Sequence, residues 1–132
     1  MTIESSKIFG KIKPAYFDAR AFILPEREVS NYFLWRQQDW TRNSVQMLAR
    51  AHYSDKECHK KNNHKLQDML MGVGVNWNNL DTSLKRGRCV IKEYFDYNGA
   101  TRSRWIVDNE IPIFSQDREY INKHIKTELD DD

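Results

Sequence analysis

The sequence predicts an α+β fold in which one long amphipathic helix precedes a C-terminal β-hairpin. The stretch from about Glu26 to His52 carries apolar residues at helical spacing. Two later runs rich in branched and aromatic residues are joined by Asn98-Gly99, the strongest short signal for a two-residue hairpin turn. The chain has 132 residues, 39% of them hydrophobic, so we expect residues 1–132 to form a single domain with one core.

The N-terminal part predicts a loose lead-in followed by a strand. Residues 1–13 are polar, with little periodicity and without the apolar stretch of a signal peptide. Tyr16 to Leu24 is rich in aromatic and branched residues, which predicts a strand. Pro25 ends that strand and begins the long helix, because proline fits the first turn of a helix and acidic residues follow it.

The long helix is expected to have an apolar face and a polar flank. The apolar face, which we expect to be core, consists of Val29, Phe33, Trp40, Met47, Leu48 and Ala51. Steps of three and four residues align a polar flank beside it, made of Arg36, Asp39, Asn43, Gln46 and Arg50. An arginine can hold a phosphate through two donors, and asparagine or aspartate can hydrogen-bond a base or a ribose hydroxyl. The alternative is that Arg36 and Asp39 form a surface ion pair worth roughly 0.3 kcal/mol.

The middle of the chain predicts two short helices and a loop. Ser54 and Glu57 have the spacing of a capping box that begins the first helix. The second runs from about His64 to Met71, where nearby glycines end it. The loop Asn76–Asn79 could let the backbone approach a ligand closely, although asparagine and glycine also favour simple turns.

The C-terminal part predicts the two hairpin strands, Arg88–Tyr97 and Ala100–Val107, and a final short helix over Ser115–Lys126. Basic side chains are concentrated here: Lys85, Arg86, Arg88, Lys92, Arg102 and Arg104. Strand alternation is expected to place Arg86 with Arg88 on one face, and Arg102 with Arg104 on one face of the partner strand. Such a face can bind the phosphates of a nucleic acid, and a solvated sheet surface is the alternative.

The net charge of +2 is unevenly distributed. An acidic tail at residues 127–132 contains Glu128, Asp130, Asp131 and Asp132, and without these four charges the chain carries +6. A basic body is compatible with RNA or nucleotide phosphates as partners. Because there is no run of 18 or more apolar residues, we expect no membrane span, and a cytoplasmic location is the default.

The cysteines predict neither a disulfide nor a zinc site. Cys58 and Cys89 are far apart and are expected to be reduced thiols. A metal site built from Cys58, His59, His52 and His64 is the alternative, but the closely paired ligands of zinc sites are missing. Spacing and composition therefore indicate an α+β domain that binds phosphates and name no reaction.

Five short motifs occur in the order and with the gaps of one enzyme family. They are Phe17-Asp18-Ala19-Arg20, Tyr32-Phe33-Leu34-Trp35-Arg36-Gln37-Gln38-Asp39, Thr41-Arg42-Asn43-Ser44, Asn76-Trp77-Asn78 and Lys85-Arg86-Gly87. This series resembles the tRNA(His) guanylyltransferase family, closest to its bacterial and viral "like" branch. The resemblance is close over residues 16–93 and looser to residue 120, and it implies the C-terminal part of such a protein.

The resemblance implies a polymerase-palm domain, with a ferredoxin-like sheet and helices on one face. The family adds a nucleotide to the 5′ end of a tRNA, in the 3′–5′ direction. The 5′ end is first activated with ATP or GTP, and the 3′-hydroxyl of an incoming GTP then attacks it. Mg²⁺, GTP or ATP, and tRNA are thereby implied as cofactors and partner. With the basic residues singled out above, the candidate nucleotide- and tRNA-binding residues are Arg36, Asp39, Asn43, Lys65, Asn76, Lys85 and Arg86.

Three departures from the family pattern shape the functional hypotheses. Thr41 stands where the classical eukaryotic motif has histidine, which fits the "like" branch and argues against strict tRNA(His) specificity. The classical K-N-E segment is not preserved around Lys65. The metal-binding aspartates of the family precede the matched region, and nothing in residues 1–15 matches them, although Asp18 mimics one superficially. Since two-metal phosphoryl transfer needs such carboxylates, we expect the chain to be inactive alone.

Three hypotheses remain open from the sequence. The first is that the chain is the C-terminal portion of a nucleotidyltransferase, either truncated or one half of a split enzyme whose N-terminal-half partner protein supplies the metal site. The second is a catalytically inactive RNA- or nucleotide-binding module. A plain interaction domain is the third. A palm sheet without its first strands is expected to expose an apolar face, which predicts a homo-oligomer or a partner protein.

Overall fold

The computed structural model describes residues 15–125, and one long helix organises them. The order of elements is α1 (Glu26–His52), α2 (Asp55–Cys58), α3 (Asn63–Gly72), a 3₁₀ turn (Trp77–Asn79), α4 (Thr82–Arg86), β1 (Cys89–Tyr97), β2 (Ala100–Asp108) and α5 (Glu119–Asn122). The expected lead-in at 1–13 and the acidic tail at 127–132 lie outside the described residues. The mixed α and β composition, with a long helix and an antiparallel two-stranded sheet, confirms the predicted fold class.

Helix α1 has the predicted bounds, but the predicted core face is only partly confirmed: Val29 and Leu48 pack against the buried clusters, and the larger residues do not belong to them. Phe33, Trp40 and Met47 are 41%, 50% and 71% exposed. The buried residues of the helix are instead Ser30, Gln37, Val45 and Ala49. Two polar residues thus interrupt the buried stripe, and this hides its periodicity from a search for apolar side chains alone.

Two small clusters, rather than one core, flank α1. The buried residues of the first are Val45 and Ala49 of α1 and Leu66 and Leu70 of α3. The buried residues of the second are Ile111, Phe114, Tyr120 and Ile121, against which Val29, Leu34 and Cys89 pack. Helix α1 therefore holds α3 at its C-terminal half and the C-terminal segment at its N-terminal half.

The strand predicted over Tyr16–Leu24 is wrong, because residues 15–25 form no regular element. Tyr16 and Phe17 are each 91% exposed, and Ile23 is 98% exposed. A strand exists only when its backbone pairs with a neighbour, and the sheet of the described residues contains only β1 and β2.

The short elements after α1 follow the predicted local signals. The capping box of α2 is present, because the Ser54 hydroxyl accepts from the Glu57 backbone N–H at 3.4 Å and the Glu57 carboxylate accepts from the Ser54 N–H at 2.9 Å. This hydrogen bonding lowers the pKa of Glu57. Helix α3 begins one residue earlier than predicted, with Asn62 as its cap. The final helix is shorter than predicted and covers only Glu119–Asn122.

The hairpin confirms the turn predicted at Asn98-Gly99. Both residues have left-handed backbone angles, with φ of 51° and 75°, which is the geometry of a type I′ turn. The antiparallel register runs from Cys89 opposite Asp108 to Tyr97 opposite Ala100.

The two faces of the hairpin differ in character. Arg102 and Arg104 share one face as predicted, but Arg104 is paired with Glu93 at 2.6 Å. Arg86 lies in α4 and Arg88 precedes β1, so the strand face expected for those two residues does not exist. The opposite face is exposed and apolar, with Val90, Tyr94, Trp105 and Val107 between 53% and 69% exposed. The partner or dimer expected to cover such a face stays a prediction.

Candidate functional site

A cleft of about 740 Å³ lies where α1, the 3₁₀ turn, α4 and the segment after β2 meet. Its lining is Leu34, Trp35, Gln37, Gln38, Thr41, Arg42, Trp77, Asn78, Lys85, Arg86, Ile113 and Ser115. We call it the α1–α4 cleft. Three cations and two indole rings in one cleft give donors for phosphate oxygens and flat surfaces for a nucleobase.

Helix α4 is fixed against α1 by a short relay of polar contacts. The Ser44 hydroxyl donates to the Leu84 carbonyl at 2.7 Å and accepts from the Trp77 indole N–H at 2.9 Å. The Thr41 hydroxyl donates to the Lys85 carbonyl at 3.3 Å. These bonds join three chain segments, so the backbone that carries Lys85 is held firmly in place.

The turn after α4 needs glycine at residue 87. Gly87 has a φ of 87°, in the left-handed region, and a side chain there would meet the Trp40 indole at 3.9 Å. The positive φ, and not a steric clash, is therefore the reason for glycine at this position, because 3.9 Å is an ordinary van der Waals distance.

Lys85 and Arg86 are the two predicted residues that the structure brings together in the cleft. The Lys85 ammonium donates to the Asn78 carbonyl at 2.9 Å and lies 6.0 Å from the centre of the Trp77 ring. The Arg86 Nε donates to the Ile111 carbonyl at 3.2 Å. Among the described residues the terminal nitrogens of Arg86 have no hydrogen-bond partner, and they remain available to a ligand.

Arg36, Asp39 and Asn43 form a network on α1 beside the cleft, not in its lining. The Asp39 carboxylate faces Arg36 at 3.8 Å and Arg42 at 3.5 Å, and it accepts from the Asn43 amide at 3.4 Å. The structure therefore contains the Arg36–Asp39 pair that the sequence left open as the alternative. Arg42 belongs both to this network and to the cleft lining, so it links the two.

Asn76 and Lys65 take different positions. The Asn76 side chain accepts from the Asn78 N–H at 3.0 Å and so caps the 3₁₀ turn that forms one wall of the cleft. Lys65 lies exposed in the first turn of α3 and does not line the cleft. Asn76 thus shapes the cleft, whereas Lys65 is separate from it.

Sequence reasoning missed Arg42, Trp77 and Trp35 as cleft residues. Each lies inside a motif already recognised, one position from a residue that was chosen. Two features of the sequence could have found Arg42. It lies three residues after Asp39, which is the spacing of an ion pair on a helix, and it directly precedes Asn43. Trp77 carried no such signal, because its place depends on the hydrogen bond to Ser44.

Gln37 holds the far wall of the α1–α4 cleft. Its side chain is buried, its amide donates to the Pro112 carbonyl at 2.8 Å, and its oxygen accepts from the Phe114 N–H at 2.9 Å. The segment that carries Ile113 and Ser115 is thereby tied to α1. A buried polar residue of the core stripe therefore has a positioning role.

Tyr120 and Cys89 have altered acidities away from the cleft. The Tyr120 hydroxyl donates to the Asp108 carboxylate at 2.7 Å, and burial together with this bond raises the pKa of Tyr120. Burial also raises the pKa of the Cys89 thiol. Both groups stay protonated at neutral pH, which suits a structural role between β1, β2 and α5.

The described residues do not fit a two-metal site by themselves. Among residues 15–125 no three His, Cys, Asp or Glu side chains gather as metal ligands, so the alternative site around Cys58 and His59 is not assembled. Asp39, which pairs with the cleft residue Arg42, is engaged by two arginines. Two-metal phosphoryl transfer requires several free carboxylates, and no step through Mg²⁺ is assigned to these residues. Among the same residues, no helix combines the length and the apolar character needed to span a membrane.

Two solved structures resemble this chain over about four fifths of its length. A bacterial tRNA(HIS) guanylyltransferase (Thg1)-like protein in complex with ATP is 46% identical, with a TM-score of 0.71 over 81% of this chain and 44% of that one. A structure of a bacterial protein of the same description in complex with GTP is 47% identical, with a TM-score of 0.63 over 79% and 41%. The chain thus spans less than half the length of either protein. No family model and no curated protein matches it.

Proposed function

Because this chain belongs to the tRNA(His) guanylyltransferase-like family, we propose that it is the nucleotide- and tRNA-binding part of a 5′-end nucleotidyltransferase acting in the 3′–5′ direction. The observation that carries the proposal is the α1–α4 cleft, where Lys85, Arg86 and Arg42 converge beside Trp35 and Trp77. The similarity of the chain to proteins solved with ATP and with GTP supports a nucleoside triphosphate as the ligand of this cleft.

The proposed division of labour follows from the chemistry of the side chains. Arg86 and Arg42 bind phosphate oxygens, because guanidinium groups match them with paired donors. Lys85 adds a compact charge and holds the 3₁₀ turn through Asn78. Trp77 offers an indole face to the base, since stacking contributes about 1–3 kcal/mol for each base. Asp39 pairs with Arg42 and accepts a hydrogen bond from Asn43, so these two residues hold the Arg42 side chain in place. Asn76 caps the turn that contains Trp77 and keeps that residue in position.

The chain's own contribution to the reaction is then binding and orientation. It holds a triphosphate and the tRNA 5′ end so that the 3′-hydroxyl of the incoming nucleotide can reach an activated phosphate, and positioning of this kind lowers the barrier to phosphoryl transfer. A partner protein that supplies the metal carboxylates is part of the proposal. That partner, or a second copy of this chain, would also cover the exposed apolar face of the hairpin.

A binding module without turnover is the second candidate. The observation that favours it is the lack of a carboxylate cluster among residues 15–125. It shares the cleft and the ligands with the first candidate and differs only in chemistry.

Nucleotide binding tests the cleft. Titration of GTP into the 132-residue chain, followed by tryptophan fluorescence, should saturate because Trp35 and Trp77 line the cleft. Arg42→Gln should weaken binding roughly tenfold, which corresponds to the loss of a charge-assisted hydrogen bond of about 1.5 kcal/mol. Lys123→Gln, at an exposed site outside the cleft lining, is the matched control. Equal affinities for all three proteins, or no binding at all, would contradict the proposal.

Turnover separates the two candidates. The chain is incubated with Mg²⁺, ATP, labelled GTP and a tRNA that lacks its first 5′ nucleotide. Label in the RNA identifies the nucleotidyltransferase. GTP and tRNA binding without label identifies the binding module, if adding the N-terminal half of a relative does not restore incorporation.

A further inference from the structure

A second cleft, of about 680 Å³, lies where the C-terminal end of α1 meets the turn between α2 and α3. Its lining includes Arg50, His59, Lys60 and Lys61, which we call the basic corner. It shares no lining residue with the α1–α4 cleft. The basic corner is therefore a separate place on the same long helix.

The charge of the basic corner is not balanced within the described residues. Asp55 is the one acidic residue of the lining, and it pairs with Arg50 at 3.3 Å. Lys60 and Lys61 form no ion pair with any residue between 15 and 125. Two adjacent lysines thus line one cleft without a counter-charge among the described residues, which favours an anion as the occupant.

The backbone at the basic corner adopts an unfavourable conformation. Lys60 has a φ of 57°, in the left-handed region that asparagine and glycine occupy far more readily than lysine. Backbone strain of this kind is often retained at a functional site. The left-handed residue also makes the turn that carries Lys61 into the lining of the cleft.

The start of α3 adds a third local conflict. The first turn of this helix contains no acidic residue, although acids are favoured at the positive end of a helix dipole. It carries His64 and Lys65 there instead, and Leu66 from the same turn lines the cleft. An anion bound in the cleft would offset the repulsion between the Lys65 ammonium and the dipole.

We infer that the basic corner is a second phosphate-binding site, which takes the phosphodiester backbone of RNA. The inference rests on the proposed function, in which RNA is the substrate. The lining contains no Phe, Tyr or Trp on which a base could stack, unlike the α1–α4 cleft. Contacts to phosphates alone position a nucleic acid without reading its sequence, so this site orients the RNA and leaves selection to the other cleft.

The test removes two charges without disturbing the turn. Lys60→Asn with Lys61→Gln keeps a residue that tolerates the left-handed backbone, so the fold is retained. Arg27→Gln with Lys123→Gln removes the same charge elsewhere, since Arg27 lies at the opposite end of α1. The urea midpoints of both double variants confirm that each is folded.

The probe is a fluorescein-labelled tRNA that lacks its first 5′ nucleotide, and its affinity is measured by anisotropy over a range of salt concentrations. The corner variant should bind at least about tenfold more weakly, and its slope of log K against log salt should flatten by about 1.4–1.8, the effect of losing two phosphate contacts. The control should keep a slope closer to that of the unchanged protein. Equal slopes and affinities for the corner variant and the control would overturn the inference.

GTP binding separates this inference from the proposed function. The corner variant should bind GTP with the affinity of the unchanged chain. If the unchanged chain fails to bind GTP while the corner variant alone loses RNA affinity, the proposed cleft is wrong and the basic corner stands. If the corner variant loses affinity for free ATP but not for RNA, the site takes nucleotides and the assignment to RNA is overturned.

Discussion

Replacing Gln37 with leucine should destabilise the protein, although it puts an apolar side chain into a buried position. The substitution leaves the Phe114 N–H and the Pro112 carbonyl without their partner. An unpaired buried donor costs about 1–3 kcal/mol, and we assign about 1 kcal/mol to the partly buried carbonyl. The apolar gain of leucine offsets about 1 kcal/mol of this. The expected net loss in the free energy of unfolding is therefore about 1–3 kcal/mol.

Urea denaturation, followed by far-UV circular dichroism, measures this loss. Gln38→Leu is the matched control for stability, because it makes the same change at the adjacent and exposed position, and Lys123→Gln, outside the cleft lining, is the control for nucleotide binding. GTP titration provides a second readout, since the segment that Gln37 holds carries Ile113 and Ser115 of the α1–α4 cleft. If Gln37→Leu is as stable as Gln38→Leu, the two hydrogen bonds contribute nothing net, and the account of the far cleft wall is refuted.

Three further predictions concern the turn, the capping box and the buried tyrosine. Gly99→Ala should cost about 1 kcal/mol in the same denaturation assay, because residue 99 has a φ of 75°, and Gly72→Ala, within α3, should not. Ser54→Ala should remove about 1 kcal/mol of stability, because the helix loses its cap. The hydrogen bonds from Ser54 lower the pKa of Glu57, and they stabilise the fold only while that carboxylate is ionised. The variant should therefore lose less stability than the unchanged protein when the pH is lowered. Because the pKa of Tyr120 is raised, the contribution of its protonated hydroxyl to stability is fully present below pH 10 and is lost as the pH rises further. Tyr120→Phe should therefore flatten the decline of stability at alkaline pH. An unchanged decline would assign it to another group.

Local chemistry in the sequence accounts for most of the elements. The capping box at Ser54 and the Asn98-Gly99 turn act through neighbours a few residues away, and both are found in the structure as predicted. Pro25 marks the start of the long helix, as its N-cap and not within its first turn. The strand over Tyr16–Leu24 failed for the opposite reason. Its formation depends on a pairing strand elsewhere, which composition alone does not reveal.

The candidate site was only partly predictable for the same reason. Lys85 and Arg86 were found because basic residues are visible in the sequence. Gln37 and Trp77 were not, because their roles depend on a loop 75 residues away and on a hydroxyl 33 residues away. Those partners are fixed by tertiary packing, and a polar residue inside a buried stripe has no signature in apolar periodicity.

The spacing of the two clefts along α1 constrains how an RNA could use both. Arg42 lines one cleft and Arg50 the other, and eight residues of helix separate them. This corresponds to about 12 Å along the axis and about 80° around it. A strand that follows both sites must therefore wrap partly around the helix instead of running straight along it. Because α1 is fixed by a separate cluster at each half, this offset is built into the fold, and a rigid offset would set the direction from which the RNA end enters the α1–α4 cleft.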